Sequence, residues 1–491
     1  MEKKPTTDKS TPEIKPVTGV WEITMGCNMR CGHCGSSCED ALPDELTTDE
    51  ALALADQIAD LGLRWITLSG GEPLTRRDLP LLVKRLSSQS VAVNIITNGW
   101  ILEPELIQEL KDSGISTIAI SLDGLKETHD SIRQKGSYDR IFKTFKALQG
   151  AGVATGAVTT VSNANLSELP EMRKALMDNG IKSWQLQIGF PMGNFKERPE
   201  WVIAPEKVND LIDFCYETAM EGEINVYPAD CLGYYSEKEL KIRQKVNKSD
   251  VKSMWRGCNA GIRVLGFLHN GDIIGCTSIR DRSFIEGNIR DKSLREIWEN
   301  PEGFAWRKKM TKDKLAGDCT TCNYGSICLG GCPNTRLTMN GDIHSENLYC
   351  VYNLALKKLK ENLKSITDVG RLIADARQAM AGGGNQAAAF LTSQALTIEP
   401  ENKEALALNG YAEFMCGNYL ECEEANRKIL EIYPEETYAM KGLGLALHKR
   451  GFSDQGLKLL EQAAEMTKHE DTDILNDLAY VKQEMALKAA Q

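Results

Sequence analysis

Cys27-Asn28-Met29-Arg30-Cys31-Gly32-His33-Cys34 follows directly on an apolar, β-prone run at residues 20–25, and Gly70-Gly71-Glu72-Pro73 closes the next such run at 65–68. A strand that ends in a Cys-x3-Cys-x2-Cys loop places three thiolates at one edge of a sheet. Three thiolates hold three irons of a [4Fe–4S] cube and leave the fourth iron open, whereas a structural zinc site is normally closed by four ligands. His33 completes a zinc tetrahedron on paper, but its place between Cys31 and Cys34 makes that geometry awkward. The paired glycines let the backbone approach a bound molecule closely. Glu72 and the neighbouring carbonyls offer acceptors to an ammonium group. A strand-to-helix turn with Pro73 at the start of the helix explains the second motif alone. It does not explain both motifs, in this order, one βα unit apart.

Both motifs sit in the first two of six strand–helix repeats. Further strands are expected at 91–97, 115–122, 153–161 and 183–188, separated by helices at 103–111, 138–149 and 166–177. Thr47 and Glu50 form a capping box for a helix that runs to Leu61. Six repeats at this spacing predict an α/β fold, a parallel sheet curled into a partial (β/α)6 barrel with its chemistry at the C-terminal strand ends. Thr97-Asn98-Gly99 and Ser121-Leu122-Asp123-Gly124 close the third and fourth strands, and each alone reads as a turn.

A second cysteine field follows: Cys258-x12-Gly271-x4-Cys276, then Cys319-x2-Cys322-x5-Cys328-x3-Cys332, then Cys350. Seven cysteines within 93 residues exceed one metal site, and two zinc ribbons would need eight ligands in paired Cys-x2-Cys form. Helix periodicity fades here while Gly and Cys dominate, so metal clusters rather than a large apolar core are expected to hold the region together.

In the last third, Gly383, Gly417 and Gly451 recur at a period of 34, as do Ala376, Gly410 and Gly444. Ala388, Cys422 and Gly456 keep the same register, with Ala395, Ile429 and Ala463 after them. Small residues at this period are the contact positions of tetratricopeptide repeats, so an all-α solenoid of three helix pairs with a capping helix at 473–488 is expected. The expected segments are a disordered tail at 1–16, the barrel at 17–225, a bridge at 226–257, the cluster domain at 258–355, and a helical linker with repeats at 356–491.

The formal net charge of −11 argues against nonspecific binding to nucleic acid or an anionic membrane. No signal peptide or apolar run of membrane-spanning length is present, which points to the cytoplasm. Fifteen cysteines in a reducing compartment point to metal rather than disulfides. Cys215, Cys416 and Cys422 lie in helical stretches and read as buried hydrophobes.

The Cys27–Cys31–Cys34 and Gly70–Pro73 motifs resemble the signature of the radical S-adenosylmethionine (SAM) superfamily, and the second field resembles its SPASM extension. The resemblance spans roughly residues 17–355. It implies SAM and three [4Fe–4S] clusters, with SAM on the open iron of the first and cleaved to a 5′-deoxyadenosyl radical. Gly70, Gly71, Glu72, Pro73, Thr97 and Asn98 would bind SAM, Ser121 and Asp123 would lie near its ribose or methionine, and His33 would present backbone to the adenine. Cys258, Cys276 and Cys332 would hold the inner auxiliary cluster; Cys319, Cys322, Cys328 and Cys350 would hold the outer one. Many relatives supply a fourth inner cysteine that is missing here between 261 and 265. Either that iron is open or Cys231, preferred, or Cys38 reaches it.

Anaerobic sulfatase maturases resemble both cluster regions but carry an acidic base where this chain has Thr277. Asp230, Asp281 and Cys231 are the alternative catalytic candidates. The first expectation is a maturase that crosslinks, oxidises or trims a ribosomally made precursor peptide. It would take electrons from a flavodoxin or ferredoxin, and the repeats would hold the peptide or a protein partner. The second is a related enzyme acting on a tetrapyrrole, a sugar or a cofactor precursor. The third is a noncatalytic scaffold, which the two intact motifs argue against.

Overall fold

The computed structural model describes residues 15–229, 231–246 and 255–489. They divide into two compact units. The first holds the described residues up to Lys314 together with Cys328–Val351, and the second holds Leu315–Ile327 with the chain from Tyr352 onward. The units therefore cut across the 258–355 segment expected as one domain. Of the tail and bridge, residues 1–14, 230 and 247–254 lie outside the described residues.

The first unit is built on one ten-stranded sheet of order β10-β9-β8-β1-β2-β3-β4-β5-β6-β7. The strands are β1 (Thr18–Glu22), β2 (Trp65–Ser69), β3 (Ala92–Thr97), β4 (Ile115–Ser121), β5 (Thr155–Val161), β6 (Ser183–Ile188), β7 (Asn225–Pro228), β8 (Val264–Phe267), β9 (Asp272–Ile274) and β10 (Ile285–Asn288). All six expected strands form, and they pair in parallel from Thr18↔Trp65 onward. β3 alternates buried Val93, Ile95 and Thr97 with partly exposed neighbours, the period-2 signature of a strand with one face in the core. Consecutive parallel strands need crossovers, and the helices Thr48–Leu61, Leu79–Ser88 and Pro104–Asp112 supply them. The Thr47–Glu50 capping box is present, and Gly62 ends that helix at φ 93°.

The sheet does not stop at six strands. β7 extends one edge, and β8 pairs in parallel with β1 through Thr18↔Val264, carrying the β9–β10 hairpin beyond it. The Cys-rich region therefore owns more apolar core than its composition suggests: Leu265, Phe267, Ile273, Leu294, Ile297 and Phe304 are buried. The physical reason is that its strands complete an existing sheet rather than forming one of their own. At 166–177 the helix proper is Leu169–Asp178, preceded by a 3-10 turn at Leu166–Glu168.

The second unit is all helix after the short 315–327 segment, from Val351–Leu363 through Thr472–Ala489. The period-34 glycines 383, 417 and 451 sit between helices at φ 79°, 78° and 92°. Gly444 and Gly456 face each other across two helices, where a Cβ on Gly456 would lie 2.3 Å from the Gly444 oxygen. This arrangement is compatible with stacked helix pairs. Cys215, Cys416 and Cys422 are buried in helices. No helix among the described residues is long and apolar enough to cross a membrane.

Candidate functional site

The C-terminal ends of β1 and β2 are tied to each other beyond the strands themselves. Ile23 N donates to Ser69 O at 3.0 Å, Gly71 N to Thr24 O at 2.8 Å, and Glu72 N to Gly26 O at 2.8 Å. The two motifs therefore share one wall. A Cβ on Gly70 would lie 2.2 Å from the Thr24 oxygen, and one on Gly71 2.2 Å from the Gly26 oxygen, so both positions require glycine. Together they border a cavity of about 230 Å3 lined by Cys27, Cys31, Cys34, Gly70–Glu72, Thr97, Asn98, Ser121, Thr160 and Gln187.

Glu72 is 1% exposed. Its Oε1 accepts from Thr97 Oγ1 at 2.7 Å and Leu74 N at 3.1 Å, and its Oε2 accepts from Asn98 N at 2.7 Å. Burial raises its carboxyl despite these donors. The carboxylate is thus committed to the Thr97–Asn98 turn, and backbone carbonyls are left as acceptors for a ligand's ammonium. Asn98 in turn donates to Asn28 Oδ1 at 2.7 Å, linking the third strand end to the cysteine loop.

Asp123 is fully buried. It accepts from Arg133 Nε at 2.5 Å, Thr160 N at 2.8 Å and His33 Nε2 at 3.1 Å. Burial alone would raise its carboxyl, but the Arg133 charge and His33 hold it well below the usual carboxylate range. Arg133 Nη1 reaches Cys31 Sγ at 3.9 Å, so the network ends on a thiol of the cysteine loop. The His33 side chain is spent on Asp123, while its buried Nδ1 has no hydrogen-bond partner. Arg133 is not legible from the sequence: it stands ten residues after Asp123 in no motif.

His129 Nδ1 accepts from Asp123 N at 3.0 Å, which requires the neutral ring, and burial brings its pKa down to about 4. An unfolded histidine binds its proton near 6.5, so this contribution to stability is complete above that value and is lost as pH falls toward 4. Between pH 7 and 5 the wild type loses about 2 kcal/mol more than His129→Gln, measured by urea unfolding at both pH values.

Cys27, Cys31 and Cys34 all line this cavity, thiol donors of the kind an iron–sulfur cube takes, and burial pushes Cys31 up to about 11 even beside Arg133. Cys38 also lines this cavity, and its thiol donates to Cys34 and pulls that group down. Arg280 ties the region to the second cysteine field. It donates to both Glu22 carboxylate oxygens at 2.8 and 2.7 Å and to Ser36 Oγ at 2.5 Å.

Cys258, Cys276 and Cys332 come together. Burial, then the neighbouring Cys332 and Cys276 sulfurs, push the Cys258 thiol up. Tyr234 accepts from Cys332 N at 3.1 Å, and the Cys332, Cys231 and Cys328 sulfurs surround its phenol. Half-buried Cys231 therefore stands near Tyr234, as Cys332 does. Of the outer set, Cys319 and Cys322 belong to the second unit and Cys328 and Cys350 to the first. Asp281 is exposed and caps the turn at Ser283 N, 2.9 Å away, which does not suit a buried base. Asp230 lies outside the described residues. Thr277 is buried beside Cys276.

Residues 21–176 match the radical SAM superfamily, and 258–323 match the SPASM iron–sulfur cluster-binding domain. The AdoMet-dependent heme synthase of Methanosarcina barkeri is 32% identical over 341 residues, 68% of this chain and 95% of that protein. Mycofactocin maturase MftC of Mycolicibacterium smegmatis is 27% identical over 360 residues, 71% of this chain and 86% of that one. The crystal structure of Streptococcus suis SuiB bound to S-adenosylmethionine shares the fold, with a TM-score of 0.55 at 18% identity over 69% of this chain and 78% of that one.

Proposed function

This chain belongs to the radical SAM superfamily and carries its SPASM region, and on that basis we propose that it oxidises a side chain of a cyclic tetrapyrrole. The observation that supports this reading is the likeness to a heme synthase over 95% of that enzyme's length. Cys27, Cys31 and Cys34 would hold the first cluster; Cys258, Cys276 and Cys332 the inner auxiliary one; Cys319, Cys322, Cys328 and Cys350 the outer one. When bound and reduced, SAM supplies a 5′-deoxyadenosyl radical that removes a hydrogen atom from the substrate.

The protein's own residues then have three tasks. The Gly70–Gly71 backbone would cradle the methionyl end, and the Asp123–Arg133–His33 network fixes the wall beside Cys31. Ser121, Thr160 and Gln187 line the same cavity and would face the nucleoside. The substrate radical must still lose one electron, and the cysteines of the second field would hold the clusters able to accept it. Loss of CO2 from a carboxyethyl chain with that electron forms a carbon–carbon double bond and calls for no protein base. Thr277 in place of an acid agrees with such chemistry.

The test is anaerobic incubation of the reduced holoenzyme with SAM and iron-coproporphyrin III, read by mass. Loss of CO2 and two hydrogens per oxidised chain, matched by 5′-deoxyadenosine, supports the reading. Absence of both binding and turnover overturns it. A second reading, oxidation of a precursor peptide, is favoured by the likeness to MftC and by the helical third beyond the matched region. There, half-exposed Tyr411, Met415 and Tyr438 border a groove of about 500 Å3. Co-expression with short open reading frames beside the gene, followed by peptide mass measurement, tests it. A lighter peptide made by the wild type and not by the Cys27→Ala, Cys31→Ala, Cys34→Ala enzyme is the expected outcome of that reading.

A further inference from the structure

Within the second unit, the segment bearing Cys319 and Cys322 is gripped by side chains of two helices that belong to no cluster motif. Asn353, on the first turn of Val351–Leu363, is 2% exposed and donates from Nδ2 to Cys319 Sγ at 3.7 Å. Gln386, on the first turn of Asn385–Ile398, is 1% exposed and brackets Cys322. Its Oε1 accepts from Asn323 N at 3.3 Å, and its Nε2 donates to Thr321 Oγ1 at 3.5 Å. So held, the loop turns Tyr324 N onto Cys322 Sγ at 3.4 Å. Lys360 closes the same surface, bonding Asp318 at 3.1 Å and lying 4.0 Å over the Phe390 ring.

We propose that Asn353 and Gln386 are positioning residues that set the electron affinity of the outer auxiliary cluster, Asn353 through its hydrogen bond to Cys319 and Gln386 by orienting the Cys322 loop. A donor aimed at a ligand sulfur stabilises the more negative, reduced cluster and raises its potential. The first helices of the C-terminal third thereby shape the surroundings of these two sulfurs, whatever else the remaining helices bind. The inference rests on Cys319 and Cys322 being ligands and not on the identity of the substrate.

The experiment is an EPR-monitored redox titration of the reconstituted holoenzyme and its Asn353→Leu, Asn353→Asp and Gln386→Met variants, with iron and sulfide analysis. Separately, Cys319→Ser must lose the outer-cluster signal while the other two remain; if it does not, the ligand assignment fails and not the tuning argument alone. In Asn353→Leu the reduced-to-oxidised ratio of the outer cluster at the wild-type midpoint falls about tenfold, about 59 mV for a one-electron couple. Asn353→Asp, which replaces the donor with a charge, falls further, and Gln386→Met falls less. The inner and SAM-binding clusters stay where they are. An unchanged outer potential, an equal shift of all three clusters, or loss of the outer cluster from both Asn353 variants overturns the proposal.

Discussion

Asp123→Asn lowers SAM cleavage, read as 5′-deoxyadenosine released by the reduced enzyme, about a hundredfold, which corresponds to about 2.7 kcal/mol. The substitution keeps shape and removes charge. Asp123 is fully buried and receives Arg133, Thr160 N and His33 together. Without the carboxylate, a guanidinium with 12% side-chain exposure is left without its counter-charge, and breaking a buried pair in this way costs about 3–5 kcal/mol. Part of that loss appears as lowered stability, and part as Arg133 turning away from Cys31, 3.9 Å distant. The replacement amide also cannot accept from all three donors in the same geometry, so His33 is released from its place between Cys31 and Cys34.

A double variant separates the two effects. Asp123→Asn with Arg133→Gln buries no unpaired charge, so its urea midpoint recovers toward wild type while cleavage stays low. Equal cleavage by Asp123→Asn and wild type would remove the network from the site's chemistry. The pH dependence follows from the sign of the shift. A carboxyl held below its ordinary range contributes fully above about pH 4 and loses that contribution only as pH falls further. Asp123 therefore adds no acid limb to the cleavage profile above pH 5, whereas the stability lost below pH 6.5 belongs to His129.

The parts legible in the sequence were those in which one residue's type dictates its local geometry. Apolar, β-prone runs at a regular strand–helix spacing marked the six parallel strands, Thr47 and Glu50 marked a helix start, and the spacing of Cys27, Cys31 and Cys34 marked a cysteine-bearing loop after the first of them. The period-34 small residues marked a helical repeat as contact positions, whereas the structure places Gly383, Gly417 and Gly451 between helices at positive φ. What was not legible depends on contacts between distant stretches. Arg133 meets Cys31 only after three crossovers fold back, and Arg280 meets Glu22 across 258 residues. Glu72 was legible as a site residue, but its role was not. An acidic residue after two glycines reads as a ligand acceptor until the Thr97–Asn98 turn is seen to occupy it. Asn353 and Gln386 sit in helices whose periodicity reports packing alone, so nothing local marks them as neighbours of Cys319 and Cys322. The β8–β10 extension was hidden for a related reason: short Gly-rich strands show no independent amphipathic signal, because a sheet already formed supplies their partners.

Gly71→Ala abolishes the SAM-binding cluster while leaving the auxiliary clusters in place, so iron per chain falls by about a third and 5′-deoxyadenosine release falls more than about a thousandfold. The added methyl would lie 2.2 Å from Gly26 O, 2.7 Å from Gly26 C and 2.8 Å from Met25 O, all backbone atoms that no side-chain rotation can clear. Relief requires the end of β2 to move away from the end of β1. That movement breaks the Gly71 N–Thr24 O and Glu72 N–Gly26 O bonds, each about 1 kcal/mol net, and pulls Glu72 from Thr97 and Asn98. Since the same backbone leads into Cys27, the cysteine loop loses its register with the cavity wall. Gly62→Ala is the appropriate control. It places a methyl in open space at φ 93°, so it carries backbone strain of about 1 kcal/mol without any clash, and the enzyme keeps all its iron. If Gly71→Ala binds iron and cleaves SAM like wild type, the joint wall of the two motifs is not what shapes the site. If Gly62→Ala loses the same cluster, general instability and not the local clash governs the result.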